Sequence, residues 1–565
     1  MTVTFFRGFL RAYLRPRHAA GLLPLVLLLV LHGPAQGARE AIASAHPLAT
    51  EAGMQILAQG GNAFDAAVAV ASTLAVVEPF ASGLGGGGFF LLHRASDGFE
   101  VMVDARESAP HRAGRDLYLA ADGKPVGRAS IEGMKAAAIP GTPAGIVWLA
   151  QRYGRMPLAK SLAPAIGLAQ DGFAIDPRYA IVAGLVHAKL RAEPRTAAIF
   201  LDNGNVPQPG FVVRQPELAK TMQAIAAYGR DGFYQGDVAL QMAEAVRAGG
   251  GVWEPEDLQR YAVVERAPQR FTYRGVHITC AALPSAGGLT LAQSLQILQR
   301  FPVSSIGPVE RIHLVAEALR RGYQDRARYL GDPDFVAVPS WLGTPAYADR
   351  RAATIDLKRA TPSERLAAMT EGDNTTHFSI VDREGNRVAA TLSINLPFGA
   401  GAMAGDTGVL LNDEMDDFAI APDMPNAYQL MGASANQIEG GKRPLSSMTP
   451  TFVEDERGLL VFGTPGGSRI ISMVLLGILD YVDGAQPDIE HLVSGPRYHH
   501  QFVPDAIEYE PGAFPPAWIE ALKAMGHTLR ESSRRWGNMQ AVYVDRASGE
   551  ARGYSDPRGK GGAQF

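Results

Sequence analysis

The apolar and polar positions of the chain change rhythm along its length. From Ala41 to about Val77, in "HPLATEAGMQILAQGGNAFDAAVAVASTLAVVEP", apolar residues recur every three or four positions, the repeat of helices with a buried face. Gly60-Gly61 ends one helix in this reading, and Asn62 caps the next. "GLGGGGFFLLH" then turns into an apolar strand, while "PAGIVWLAQRYG" and "LTLAQSLQILQRF" predict a helix-rich middle third. After Asn374 the texture shifts to strands. "HFSIVD" and "RVAATLSI" flank "REGN" and predict a hairpin turning near Gly385; "TFVEDERGLLVFG" and "AVYVDRASGEARGYSD" predict two more. Between them, "RIISMVLLGILDYV" is apolar enough for a helix buried between layers. Helices and strands that come in blocks predict an α+β layered fold, not a Rossmann alternation.

Composition fits an enzyme with a large core: 565 residues, 47% apolar, with 62 Gly and 38 Pro for tight turns. The first 37 residues differ. Arg7, Arg11, Arg15 and Arg17 precede the apolar run Ala19 to Leu31, and "PAQGA" offers a small-residue cleavage site after Gly37, so residues 1–37 read as a secretory signal. The remainder carries 49 basic and 57 acidic residues, a formal net of −8, and no basic stripe of a nucleic-acid binder. Cys280 stands alone, which excludes an intramolecular disulfide. Export without disulfides points to a periplasmic or secreted protein.

Several motifs could carry chemistry. Gly83, Gly85 and Gly88 have G-x-G-x-x-G spacing, but a helix precedes them and a strand follows, the reverse of a dinucleotide site, so they read as a turn. Gly463 to Arg469, "GTPGGSR", lacks a phosphate-loop Lys; its glycines before a buried helix can instead aim N–H groups at an oxyanion. His499-His500 reads as a packed pair, since adjacent residues on an extended chain point apart and no further metal-ligand cluster is evident. Asp416-Asp417 could read an ammonium or be a solvated turn. In "EGDNTTHFSIVD", Thr375, His377 and Ser379 share one strand face. A threonine hydroxyl needs an adjacent base to act as a nucleophile. Two are conceivable: His377, or the α-amine of Thr375 itself if the chain is cut after Asn374.

"DNTTHFSIVD", "GVLLNDEMDDF", "KRPLSSMTPTFV", "GTPGGSRII" and "PRYHHQF" together closely resemble the γ-glutamyltranspeptidases (glutathione hydrolases), which are N-terminal-nucleophile hydrolases. Upstream, "DARESAP", "IPGTPAG" and "DRARYLGDPDF" continue the likeness over nearly all of the chain after residue 37. The resemblance implies a four-layer αββα sandwich and a self-cut between Asn374 and Thr375. Residues 38–374 would form a large subunit and residues 375–565 a small one, intertwined as a heterodimer. It also implies Thr375 as nucleophile, Gly466 and Gly467 as the oxyanion hole, and Ser393 as the hydroxyl beside the nucleophile where many relatives have Thr. Arg106, Ser446 and Ser447 would hold the substrate α-carboxylate; Asn395, Glu414 and Asp417 would accept from its α-ammonium. Tyr428 would gate a lid.

The activity so implied is γ-glutamyl transfer from glutathione or another γ-glutamyl compound, through a Thr375 ester, to water or to an amino-acid or peptide acceptor, with neither cofactor nor metal. A related glutaryl or cephalosporin acylase and an uncleaved, non-catalytic binding relative are the alternatives.

Overall fold

The computed structural model describes residues 39–363, 375–421 and 424–565. The expected signal segment, 1–37, and Asn374 of the expected cleavage site lie outside the described residues, as do residues 364–373 before it in the expected large subunit.

Among the described residues, thirteen strands build two antiparallel sheets. In chain order they are β1 (Ala41–Ser44), β2 (Gly87–Arg94), β3 (Phe99–Ala105), β4 (Val264–Arg266), β5 (Gln269–Tyr273), β6 (Val276–Cys280), β7 (Thr376–Val381), β8 (Arg387–Ser393), β9 (Thr451–Glu454), β10 (Gly458–Gly463), β11 (Gln540–Asp545), β12 (Ala551–Ser555) and β13 (Gly562–Gln564). One sheet has the order β13-β1-β7-β8-β2-β3-β4, the other β12-β11-β10-β9-β6-β5. Alternate residues of the first sheet point to opposite layers, as a two-residue repeat requires. Ile42, Phe378, Ile380 and Val388 pack under the helices α1 (Pro47–Ala58) and α2 (Ala63–Val77). Ala41, Ala43, Val381 and Ala389 instead meet Phe452, Val461 and Val542 of the second sheet. The outer face of that second sheet, with Ile278, Val453 and Leu460, is covered by α3 (Gly287–Leu298), α4 (Pro308–Tyr329) and α5 (Ile470–Asp483). The result is the four-layer αββα sandwich, with further helices between Thr142 and Ala352.

The three hairpins form where the two-residue alternation places them: β7-β8, β9-β10 and β11-β12. Gly385, at the first turn, has φ +88°, a conformation glycine adopts without a Cβ penalty. Asn62 caps α2 through a capping box with Asp65. The expectation that helix begins at Ala41 is corrected. Ala41–Ser44 is a fully buried strand between β13 and β7, and α1 starts only after His46, whose extended backbone and Pro47 at the first helical position reset the chain. Four small or apolar residues carry no period that separates helix from strand; the vacant place beside β7 decides.

Candidate active site

Thr375 immediately precedes β7, a strand buried along its whole length between β1 and β8. Only 4% of Thr375 is exposed, and its Oγ1 lies 3.5 Å from Ser393 Oγ at the end of β8. The Asn395 backbone N–H donates to Ser393 Oγ at 2.8 Å, which fixes that hydroxyl. On the opposite face, Thr376 donates to Glu78 at the end of α2, 2.8 Å away. His377 is completely buried between the sheets, its nitrogens 2.8 Å from Thr391 Oγ1 and 3.2 Å from Ser379 Oγ. Burial pushes its pKa down to about 3, so the ring is neutral and belongs to the sheet interface. Gly463 of the facing sheet makes room for it: a Cβ there would lie 2.4 Å from the ring.

Beyond β10 the chain turns through Pro465, Gly466 (φ +140°) and Gly467 (φ +56°) into a 3₁₀ turn, Gly467–Arg469, that leads directly into α5. The amide end of a 14-residue helix therefore stands behind this turn, where negative charge is favoured. Side chains are excluded at both glycines: a Cβ on Gly467 would sit 2.4 Å from the Tyr428 ring, and one on Gly466 2.5 Å from Met473 Cε. The turn is braced by Arg469, paired with Glu508 at 2.9 Å and stacked 4.8 Å from the Trp536 ring. Tyr323 donates to the Ser468 carbonyl. His499 and His500 are packed and hydrogen-bonded, His499 to Ser472 and Gln501, His500 to Asp505 and the Phe502 amide.

Thr375, Ser393 and Gly467 share one recess with Asn395, Glu414, Asp417, Ser446 and Ser447. Its free volume of about 20 Å³ holds roughly one water. Tyr428 closes it, donating through its hydroxyl to the Asn395 carbonyl at 2.9 Å, while Gln501 donates to the Tyr428 carbonyl at 3.0 Å. Gly466 lines a different, larger recess, with Leu396, Ala427 and Pro465.

The adjacent acids divide their work. Asp416 accepts from Ser130 Oγ at 2.7 Å and from the Ala427 amide at 2.8 Å, bracing the segment that carries Tyr428. Asp417 accepts from Asn426 and from Arg106, the latter at 2.5 Å. Glu414 also pairs with Arg106 through Oε1, while Oε2, buried, has no hydrogen-bond partner. Burial pushes Glu414 up to about 7 even though Arg106 draws it down.

Arg106 lies beside Glu414 and Asp417. It is fully buried and donates from all three guanidinium nitrogens to the protein: to the Pro444 carbonyl, to Glu107 and Glu414, and to Asp417. The recess is lined by a different cation, Arg326 in the last turn of α4, which donates to Ser447 Oγ at 3.2 Å. Sequence reasoning quoted its motif, "DRARYLGDPDF", without singling it out, because helical spacing cannot tell which of Arg320, Arg321, Arg326 and Arg328 turns inward.

Among the described residues, one trio of metal-capable side chains comes together, His313, Glu317 and His527. Its donor set suits no ion. Both Glu317 oxygens accept hydrogen bonds from Arg320, Arg321 and Thr361, and His313 is 2.7 Å from the His527 ring nitrogen. Two guanidiniums beside the carboxylate already supply its counter-charge.

The Gamma-glutamyltranspeptidase family model matches residues 49–565. Over 537 residues the chain is 41% identical to the glutathione hydrolase proenzyme of Escherichia coli K12, covering 93% of this chain and 91% of that relative. Cephalosporin acylase from Bacillus halodurans superposes with a TM-score of 0.82 at 26% identity, covering 94% of this chain and 96% of its own. Helicobacter pylori gamma-glutamyltranspeptidase gives a TM-score of 0.55 at 39% identity, over 56% of this chain and 92% of the solved chain.

Proposed function

The chain belongs to the gamma-glutamyltranspeptidase family, and we propose that it works as a self-processing γ-glutamyl transferase and glutathione hydrolase whose nucleophile is Thr375. In processing, the Thr375 hydroxyl adds to the Asn374 carbonyl, the Asn374–Thr375 C–N bond breaks to leave an ester, and water hydrolyses that ester. The α-amine so freed is the general base of turnover, with an ordinary pKa of roughly 7.7 to 8.0. It takes the hydroxyl proton as Thr375 Oγ1 attacks the γ-glutamyl carbonyl, and the departing amine receives a proton as the C–N bond breaks. Water or an acceptor amine then takes the acyl group from Thr375.

Gly466 and Gly467 supply N–H donors to the oxyanion, and Ser393 orients the nucleophile. Asn395, Glu414 and Asp417 accept from the substrate ammonium; Ser446 and Ser447 donate to its carboxylate. Arg106 holds Glu414 and Asp417 in place. The neighbours differ in name, an acylase among them, and the fold serves both chemistries. The observation that carries the γ-glutamyl reading is Glu414 Oε2, a buried acceptor without a partner beside Asp417: a glutaryl group brings no cation to satisfy it.

Large and small subunits, residues 38–374 and 375–565, form the mature heterodimer after removal of the signal segment, and the enzyme works outside the cytoplasm. Among the described residues no helix is long and apolar enough to cross a membrane. On a denaturing gel the wild type resolves into two chains and Thr375→Ala into one, inactive. Turnover of γ-glutamyl against glutaryl anilides tests specificity; preference for the glutaryl donor overturns the reading.

A further inference from the structure

We infer that the larger recess lined by Gly466 binds the acyl acceptor and selects an amine that carries a carboxylate and an apolar side chain, a role that rests on the γ-glutamyl reading of Thr375. The recess has a volume of about 650 Å³, room for a dipeptide, whereas the recess of Thr375 has about 20 Å³. Leu396, Ala427 and Gly466 line it, and their sequence neighbours Asn395, Tyr428 and Gly467 line the recess of Thr375. At three places a single peptide step separates the residues of one from those of the other. One of the three is the glycine turn assigned to the oxyanion, so an amine presented from the larger recess arrives at the ester carbonyl. The amine forms the new C–N bond, the ester C–Oγ1 bond breaks, and the amine's proton passes through the Thr375 α-amine to Oγ1.

Charge names the ligand's anionic end. Six cations and no acid line the recess: Arg128, Arg178, Lys189, Arg534, Arg535 and Arg558. Lys189 is engaged by the carbonyls of Pro397 and Gly399, Arg558 by Glu510 and Asp556, and Arg128 by Glu132. Arg535 is exposed and has no ion pair among the described residues. Arg178 Nη1 is buried without a hydrogen-bond partner, 3.8 Å from Glu78 Oε1, and Glu78 already accepts from Thr376. A carboxylate on the acceptor supplies the oxygens that these two guanidiniums lack. The helix Pro177–Leu185 names the other end. Ile181 and Leu185, four positions apart on one face, line the same recess and are each 64% exposed, so covering them with an apolar side chain is favourable.

The test partitions one acyl-enzyme between water and added amines. A γ-glutamyl anilide acylates Thr375, and the ratio of γ-glutamyl dipeptide to glutamate formed cancels every step before transfer. The acceptors are Gly-Leu, its C-terminal amide and Gly-Gly, in which the attacking amine is the same. Wild type should favour Gly-Leu about fivefold over its amide and about threefold over Gly-Gly, the first preference shrinking as NaCl rises from about 0.05 to about 0.5 M. Arg178→Gln combined with Arg535→Gln should bring acid and amide within about twofold and keep the preference for Gly-Leu over Gly-Gly; Ile181→Gln combined with Leu185→Gln should do the converse. Equal use of acid and amide by wild type overturns the assignment, as does a preference for the acid that survives the double arginine change. If a variant stays uncleaved, the wild-type ratio and its salt dependence decide on the same criteria. Release of aniline without any dipeptide product also overturns it, whereas no release of aniline by wild type overturns the functional reading instead.

Discussion

In the proposed site, Glu414 makes the binding of an ammonium group depend on pH. Its carboxyl is pushed up to about 7 by burial, against the pull of Arg106. The sign follows from the ionised form being the one that accepts an ammonium: binding is strong above pH 7 and is lost as pH falls through it. At pH 6 roughly a tenth of Glu414 is ionised, so the part of kcat/KM that depends on it falls about tenfold. In the proposed mechanism the Thr375 amine also protonates as pH falls and steepens the same limb. Glu414→Gln separates the two, because Gln keeps an oxygen for Arg106 and does not titrate. The assay is kcat/KM on a γ-glutamyl anilide from pH 5.5 to 8.5 for both proteins. The ratio of wild type to variant should be level above pH 7.5 and fall about tenfold per unit below 6.5. In kcat the step should move to lower pH, since bound ammonium stabilises the carboxylate. A ratio independent of pH would refute the assignment of Glu414 to the substrate cation.

Gly467→Ala puts a Cβ 2.4 Å from the Tyr428 ring at a φ of +56°, so the turn must shift and take its N–H with it. The expected loss is about 10²- to 10³-fold in kcat at saturating donor, and a loss under fivefold would remove this amide from the oxyanion hole. Ser393→Ala deletes the hydroxyl 3.5 Å from Thr375 and the acceptor of the Asn395 amide, so the precursor should persist on time-resolved denaturing gels; maturation at the wild-type rate counts against the role. His377→Phe leaves the hydroxyls of Thr391 and Ser379 short of a partner and should cost about 1–3 kcal/mol in urea unfolding. The pH profile of the mature variant should match wild type, because the pKa of about 3 keeps the ring neutral throughout the working range; a displaced acid limb would restore His377 as a base.

What could be read from the sequence was what local patterning controls. The alternation in "HFSIVDREGNRVAATLSI" forces a hairpin with one face toward each layer, and Asn62 with Asp65 forms a helix start whatever surrounds it. Ala41–Ser44 escaped because four residues have no period, and their state is set by the unpaired edge of a strand more than 300 positions away. The charged residues of the site were recognisable as types, but not as pairs. Arg106 and Arg326 are both arginines in motifs of the family; which faces the recess depends on where Glu414 and Asp417 fall after folding. The packing of His377 against Gly463 likewise joins two sheets and shows in neither segment alone.

The same interleaving explains how the proposed cut before Thr375 would leave one enzyme. In the first sheet, β7 and β8 from beyond the cut are hydrogen-bonded to β1 and β2 from before it, and β13, at the very end of the chain, pairs with β1 on its other edge. In the second sheet, β9 pairs with β6 across the same divide. No disulfide is needed, and Cys280 alone could not make one within the chain. Separating the two pieces means breaking ladders in both sheets and exposing the layer between them, where Ala43 and Leu91 from one piece pack with Val461 and Val542 from the other. That cost is of the order of unfolding itself, because each piece alone would present unpaired strand edges and half a core to water. Dilution should therefore leave the heterodimer intact in gel filtration, and the two chains should part only in the denaturant range where tryptophan fluorescence reports unfolding. Dissociation of still-folded pieces at lower denaturant would show that the sheets do not bind the halves together as this register requires.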